Sequence, residues 1–482
     1  MTTPNTPFSS PLSSQCHPPS DSILPFHIPS LLKRYRSGQS SPPQIVRMVY
    51  ERIRQYGDPA IWITLASLED SLKQAESITG QTDLPLYGIP FAIKDNIDWS
   101  GAPTTAGCPR YTYFPDHSAP VVERLIAAGA IAIGKTNLDQ FATGLVGTRT
   151  PYGICRNPFH ADYIPGGSSS GSACAVSAGL VSFALGTDTA GSGRVPAAFT
   201  NIVGLKPSCG RISTRGLVPA VRTLDCVSIF TSTGEEAAEV LAVAGQFDPL
   251  DPFAKPIPVY ELPSLNQLRV GVPYPHQLNF FNNSDAETNY ANALNVLKDR
   301  GATFHEFDFD PFHATALMLY EGAWVAERTA AVGEFINTQP EGETNSIVRS
   351  IINGGYGYRA MDAFQDYYRL MEYRRQAQST WGLVDILALP TTGTIYTVKD
   401  IANHPLELNR NLGRYTNFVN LMDLSAVSVP SGFQANGLPT GITFMAQSGY
   451  DEALCKLSQE FQHMMNLPVG ALHVIPYLTV VS

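Results

Sequence analysis

Between Gly166 and Pro196 the chain reads GGSSSGSACAVSAGLVSFALGTDTAGSGRVP. Small hydroxyl residues and glycines alternate here with apolar runs such as Leu180 to Leu185, a pattern that excludes a flexible linker. Buried Ser and Thr need partners, so they serve packing geometry or chemistry. Ser192 stands out among them. It follows an apolar run and a turn, precedes a helix start at Pro196, and lies between Gly191 and Gly193. Glycines let the backbone turn sharply and bare its amides, and amides near a helix start favour negative charge. Those residues in that order suit a nucleophilic hydroxyl beside an oxyanion hole.

A serine nucleophile needs a base, most often His held by Asp. None of the ten histidines has a persuasive context, and no G-x-S-x-G elbow is present. Lys94 is the alternative. It ends the apolar run Pro90-Phe91-Ala92-Ile93 and opens the turn Asp95-Asn96-Ile97-Asp98. A lysine taken out of water there has a lowered pKa and offers a neutral amine as base. Lowering it from ~10.4 to ~7 costs about 4–5 kcal/mol. The local sequence taken alone favours a lysine whose stem packs on a strand end and whose head reaches water.

A second lysine sits in a decoy. Gly129-Ala-Ile-Ala-Ile-Gly134-Lys135-Thr136 matches the phosphate-loop pattern letter for letter. In a working phosphate loop the middle residues form a turn; here they are Ala-Ile-Ala-Ile, itself a strand. Lys135 therefore reads as a strand-end residue, with nucleotide binding through Lys135 and Thr136 as the remote alternative.

The elements that position these residues can be read from periodicity. Residues 26–80 read as N-terminal helices: Ile45, Val46, Val49, Ile53 and Tyr56 recur at helix spacing behind Ser41-Pro42. The segment PVVERLIAAGAIAIGKT reads helix, glycine stop, strand. SGSACAVSAG reads as a helix ended by Gly179, and VSFAL as a buried strand. Beyond residue 265, LRVGVPY, ATFHEFDF and LVDILALP read as strands, and DAETNYANALNVLKDRG as a helix. Strands alternating with helices predict an α/β fold, a large, mostly parallel mixed β-sheet covered by helices on both faces. No linker splits residues 26–475, which read as one catalytic domain between a Ser/Pro-rich disordered tail at 1–25 and a short tail at 476–482.

Composition bounds the partners. Lys and Arg total 32 against 42 Asp and Glu, a formal net charge of −10. That excess argues against nucleic acid and anionic membrane surfaces. No apolar run reaches the ~18 residues of a membrane span, and the N-terminus lacks the basic head and apolar run of a signal peptide. Seven dispersed cysteines without Cys-x-x-Cys suit buried thiols in a reducing compartment and no structural zinc. The expectation is a soluble cytoplasmic protein.

Three motifs in order carry a resemblance that runs from about residue 28 to 470. GIPFAIKDNID, then GGSSSGSA with LGTDTAGSGRVPAA, then VGLKP resemble the amidase signature family; NLMDLSAVSVPSG and GLPTGITFMA resemble its C-terminal core strands. The resemblance implies a Ser–cisSer–Lys triad with Lys94 as base, Ser168 as the bridging serine behind a cis Gly167–Ser168 bond, and Ser192 as nucleophile. It implies an oxyanion hole from the amides of Thr189, Ala190, Gly191 and Ser192, with no metal or organic cofactor. Asp188 and Arg194 read as a buried structural pair.

Gly193 departs from the family's commoner aliphatic residue between nucleophile and arginine. Together with TNLDQFATGLVGTRTPYG and STRGLVPAVRTLDCVSIF it resembles the allophanate hydrolase branch. That branch implies a small anionic amide as substrate, a homodimer, and a functional link to a biotin-dependent urea carboxylase. The anion needs a cationic receptor. Tyr320 and Arg328 lie eight residues apart in ALMLYEGAWVAERTAAV, about 12 Å along one helix. They read either as an amphipathic core face or, as the resemblance implies, as ligands of the substrate carboxylate. The chain ends soon after the amidase core, so only the amidohydrolase step is expected, with N-carboxycarbamate decomposing elsewhere. Another small amide, or the amidase subunit of a tRNA-dependent amidotransferase, is the alternative.

Overall fold

A computed structural model describes residues 26–472; the expected tails, 1–25 and 476–482, lie outside the described residues. Eleven strands form a single sheet: β1 Trp62–Leu65, β2 Pro90–Lys94, β3 Ile131–Thr136, β4 Phe183–Asp188, β5 Val203–Lys206, β6 Cys226–Thr231, β7 Arg269–Pro273, β8 Thr303–Phe307, β9 Ile386–Pro390, β10 Leu424–Phe433 and β11 Pro439–Gln447. Their order across the sheet is β1-β3-β2-β4-β6-β5-β10-β11-β9-β7-β8.

Every residue of β2, β3, β4, β5, β6 and β9 is buried. Successive side chains point to opposite faces of a sheet, so both faces are covered, as the near-continuous apolar runs predicted. The first ten α-helices of the described residues, in chain order, are α1 Ile28–Arg36, α2 Pro42–Tyr56, α3 Leu68–Ser77, α4 Pro120–Ala127, α5 Ser170–Ser177, α6 Val195–Phe199, α7 Gly234–Ala244, α8 Ser284–Asp299, α9 Asp310–Glu321 and α10 Trp324–Thr338.

Three expectations differ from the structure. First, the sheet is mixed but not mostly parallel. β2 runs parallel to β3 and β4, and β7 to β8 and β9. The other six pairings are antiparallel. Apolar strands do not announce their direction, and the pairs β4–β6, β5–β6 and β10–β11 need no crossover helix. Second, residues 26–80 are not wholly helical: β1 lies between α2 and α3 and pairs with β3. Third, Tyr320 and Arg328 do not share a helix. α9 stops at Glu321 and α10 begins at Trp324. Gly322 is extended between them (φ −116°, ψ −178°), and the Asp366 carboxylate accepts the Ala323 amide at 2.6 Å. A side chain at 322 would sit 2.8 Å from that carboxylate.

Sequence-read boundaries hold near the site. α2 opens with a capping box on Ser41 and Gln44 and ends on Gly57 in the left-handed region. α5 is followed by Gly179 at φ +62°, and Pro196 falls in the first turn of α6.

Candidate active site

The parallel trio β3-β2-β4 brings three strand ends to one edge, the side where open α/β sheets hold ligands. Lys94 is the last residue of β2 and Asp188 the last of β4. The Lys94 side chain is fully buried. Its Nζ lies 2.7 Å from Ser168 Oγ and 2.7 Å from Thr187 Oγ1. Burial in this apolar strand end lowers its pKa from 10.5 to about 7; the more distant carboxylates of Asp139, Asp188 and Asp225 oppose the shift without reversing it. The reading of Lys94 as a water-reaching strand-end residue is thereby excluded.

Ser168 precedes α5, and the Gly167–Ser168 peptide bond is cis. Its carbonyl accepts the amide of Asp139. Ser169 is a clamp between the two serine-bearing segments: its Oγ donates to the Thr187 carbonyl at 3.2 Å and accepts the Thr187 amide at 3.4 Å.

Ser192 occupies the turn between β4 and α6 and is 3% exposed. Asp188 closes that turn. Its carboxylate accepts the Gly191 amide at 2.8 Å, the Gly193 amide at 3.0 Å, and Arg194 Nε and Nη2 at 2.9 Å each. Burial pushes the Asp188 carboxyl up, but the Arg194 guanidinium and these bonds outweigh it and hold it below the usual range. Asp188 and Arg194 are thus the buried pair expected from sequence. Gly191 is needed at φ +131°, where a side chain would also run into Thr416.

The expected oxyanion donors divide. The Gly191 amide is engaged by Asp188, which removes it from the set, because one N–H cannot serve the turn and a ligand equally well. The amides of Thr189, Ala190 and Ser192 donate to no acceptor among the described residues. The Ser192 hydroxyl likewise makes no hydrogen bond there, so Lys94 and Ser168 are hydrogen-bonded to each other and Ser192 to neither. Hydrogen bonds of catalytic groups are often long before substrate binds.

Arg328, on α10, is 1% exposed. Its guanidinium carbon lies 4.9 Å from the centre of the Tyr320 ring, a cation–π contact made possible by the helix break. Nη1 donates to Thr143 Oγ1 at 3.3 Å; Nε and Nη2 are buried with no acceptor among the described residues. Tyr320 packs on the apolar cluster to which Ala190, Leu145, Val146 and Leu224 belong, and the Arg328 charge acts on the Asp225 carboxylate, which accepts the Thr189 hydroxyl.

Several contributors escaped the sequence reading. Asp225 accepts the Thr189 hydroxyl and the amides of Ala220 and Val221; burial raises its carboxyl, and the Thr189 bond only partly offsets that. Asn420 donates to the Asp188 and Leu224 carbonyls at 2.8 and 2.7 Å. Thr187 shares Lys94 with Ser168. An acid wedged among apolar residues, as in Thr223-Leu-Asp-Cys-Val227, was the available signal for Asp225. By contrast, Lys135 belongs elsewhere. It is fully buried in β3, 3.3 Å from Asp95, and donates to Thr104 Oγ1 at 3.0 Å, while the Thr136 hydroxyl bonds Ser172. Gly129–Thr136 forms no phosphate loop.

Comparison with known proteins places this geometry. The family model described as Amidase matches residues 44–455. The chain is 43% identical over 405 residues to a urea amidolyase of Saccharomyces cerevisiae, covering 83% of this chain but 22% of the relative; it thus spans about a fifth of the urea amidolyases it matches. It is 35% identical over 471 residues to a glutamyl-tRNA(Gln) amidotransferase subunit of Symbiobacterium thermophilum, covering 90% of this chain and 95% of the relative. Among solved structures, an allophanate hydrolase of Kluyveromyces lactis superposes with a TM-score of 0.88 at 40% identity, over 93% of this chain and 74% of that one. A match over most of the chain, on a sheet that carries a buried lysine, a cis-peptide serine and a glycine-flanked serine at one edge, leads to one conclusion: this protein belongs to the amidase family.

Proposed function

We propose that the protein hydrolyses the terminal amide of allophanate, urea-1-carboxylate, and releases ammonia. The observation that carries this reading is the fully buried Lys94 amine, 2.7 Å from Ser168 Oγ with its pKa lowered to about 7. At neutral pH a substantial fraction of that amine is unprotonated and able to accept a proton.

In the proposed reaction Lys94 takes a proton from Ser168 as Ser168 takes one from Ser192, and Ser192 Oγ bonds to the amide carbon. The amides of Thr189, Ala190 and Ser192 hold the oxyanion. Collapse breaks the C–N bond, and Ser168 returns a proton to the departing nitrogen, which leaves as ammonia. Water then adds to the acyl-serine by the same relay, freeing Ser192 and N-carboxycarbamate. Arg328 and Tyr320 receive the substrate carboxylate, an arrangement supported by the two unpaired guanidinium N–H groups. The likeness to an allophanate hydrolase at 40% identity supports the choice of substrate. A homodimer, a cytoplasmic setting and a functional link to a biotin-dependent urea carboxylase belong to the same proposal, as does a single catalytic domain over 26–475.

The likeness to amidotransferase subunits keeps glutamine as the second reading. Ammonia release by the isolated chain, measured on fresh allophanate, biuret, malonamate and glutamine, separates them. The proposal expects allophanate to be preferred and Ser192→Ala to abolish turnover. Release from glutamine with none from allophanate overturns it.

A further inference from the structure

Arg149 is a second guanidinium at the same place, and the reaction outlined above leaves it unused. It is 2% exposed. Nη1 donates to the Thr143 carbonyl at 3.1 Å and Nη2 to the Pro405 carbonyl at 2.7 Å. Nε is buried without an acceptor among the described residues. Thr143 therefore holds both arginines: its carbonyl takes Arg149 and its hydroxyl oxygen takes Arg328. The backbone that presents Thr143 is strained. Phe141 and Ala142 sit at φ +50° and +51°, and Gly144 at +147°. Such conformations cost about 1–3 kcal/mol each in non-glycine residues and persist where the surroundings impose them.

Two guanidinium groups close enough to feel each other repel in a dry setting. Burial pushes Arg149 down; Asp139 and Tyr320 oppose that, and Arg328 adds to it. The nearby carboxylates are already committed. Asp139 accepts the amides of Val146, Gly147 and Arg149, and Asp225 accepts Thr189, Ala220 and Val221. What remains is three buried N–H donors on two neighbouring cations: Nε and Nη2 of Arg328 and Nε of Arg149. Buried charged donors without acceptors are costly, and an anion lying among them repairs both the repulsion and the missing bonds.

We propose that Arg149 is a second cationic arm of the substrate-carboxylate receptor, held beside Arg328 by Thr143, and that it sets the preference for anionic over neutral amides. This deepens the proposed function and rests on its reading of Arg328. Arg149 acts on binding of the carboxylate and not on the Ser192 chemistry, so it is a specificity-determining residue.

The test compares allophanate with biuret, which keeps the skeleton but replaces the carboxylate with a carboxamide. For Arg149→Gln the expected result is a tenfold or greater rise in KM for allophanate, kcat within threefold, and kcat/KM for biuret within threefold of the unsubstituted enzyme. Arg149→Lys, which restores charge without the fork, should return the allophanate KM to within threefold. A parallel arm needs no turnover: calorimetric titration with malonate and malonamide, where Arg149→Gln should weaken only malonate tenfold. Equal losses on charged and neutral ligands, or no loss on either, overturn the inference. If Arg149→Gln does not fold, Arg149→Lys decides: retained malonate affinity despite a lowered Tm supports the charge role, and lost affinity overturns it. Should allophanate turnover be absent while malonate still discriminates the variants, the proposed substrate fails and the cationic receptor stands.

Discussion

Lys94 Nζ lies 2.7 Å from Ser168 Oγ inside a fully buried strand end, and the same amine lies 2.7 Å from Thr187 Oγ1. Two hydroxyls thus hold one amine that burial has brought to a pKa of about 7. Because Lys94 is the proposed base, kcat/KM should rise with pH through about 7 and then level. A profile on allophanate from pH 5.5 to 9 checks this. A flat profile, or one falling through pH 7, contradicts an uncharged lysine as the proton acceptor.

The same shift governs stability. The unfolded lysine holds its proton to about pH 10.4, whereas the folded one releases it at about 7. Between those values the unfolded chain binds more protons, so this group makes stability rise with pH. Below pH 7 the burial cost is fully present, up to about 4–5 kcal/mol. Lys94→Met should therefore be inactive yet gain in Tm over the unsubstituted protein, more at pH 6 than at pH 9. A gain independent of pH removes the burial argument.

Gly193 packs against Ser228 of β6: a side-chain carbon at 193 would sit 2.5 Å from Ser228 Cβ and 3.2 Å from Asp188 Cβ. Ser228 stands on a buried strand that cannot retreat, so Gly193→Ala should cost about 1–3 kcal/mol, as overpacking does. Adding Ser228→Gly should recover part of that loss. Thermal melts of the two variants measure it; an unchanged Tm in Gly193→Ala shows that the strand yields.

Asp188→Asn leaves the buried Arg194 without its counter-charge and weakens the turn that carries Ser192. Removing one partner of a buried pair costs about 3–5 kcal/mol. The Asp188 carboxyl titrates below its usual range, so its stabilisation is present above the unfolded value near pH 4 and is lost as pH falls further. Urea midpoints should separate the variant from the parent at pH 7 and converge below pH 4. Equal separation at both pH values would mean that the ion pair contributes nothing.

Residue type and local spacing alone determined the chemistry on offer. A serine between glycines at a strand-to-helix turn, a lysine ending an apolar run, and an Ala-Ile-Ala-Ile strand in place of a phosphate loop were all legible, because apolar periodicity and glycine placement act over a few residues. The cis bond, the bridging role proposed for Ser168 and the carboxylate role proposed for Arg328 came from resemblance to a family. Only the tertiary structure decided the rest. Lys94 and Ser168 are 74 residues apart in the chain, and the amine's pKa depends on what covers it, which no local pattern records. The break at Gly322 turns on Asp366, 43 residues beyond the Ala323 amide that it accepts. The loss of Gly191 as a free donor, the shared grip of Thr143 on two arginines, and the antiparallel pairings all arise from contacts between distant segments. Desolvation and hydrogen-bond competition belong to the packed chain, so they become definite only once the sheet has brought those segments together.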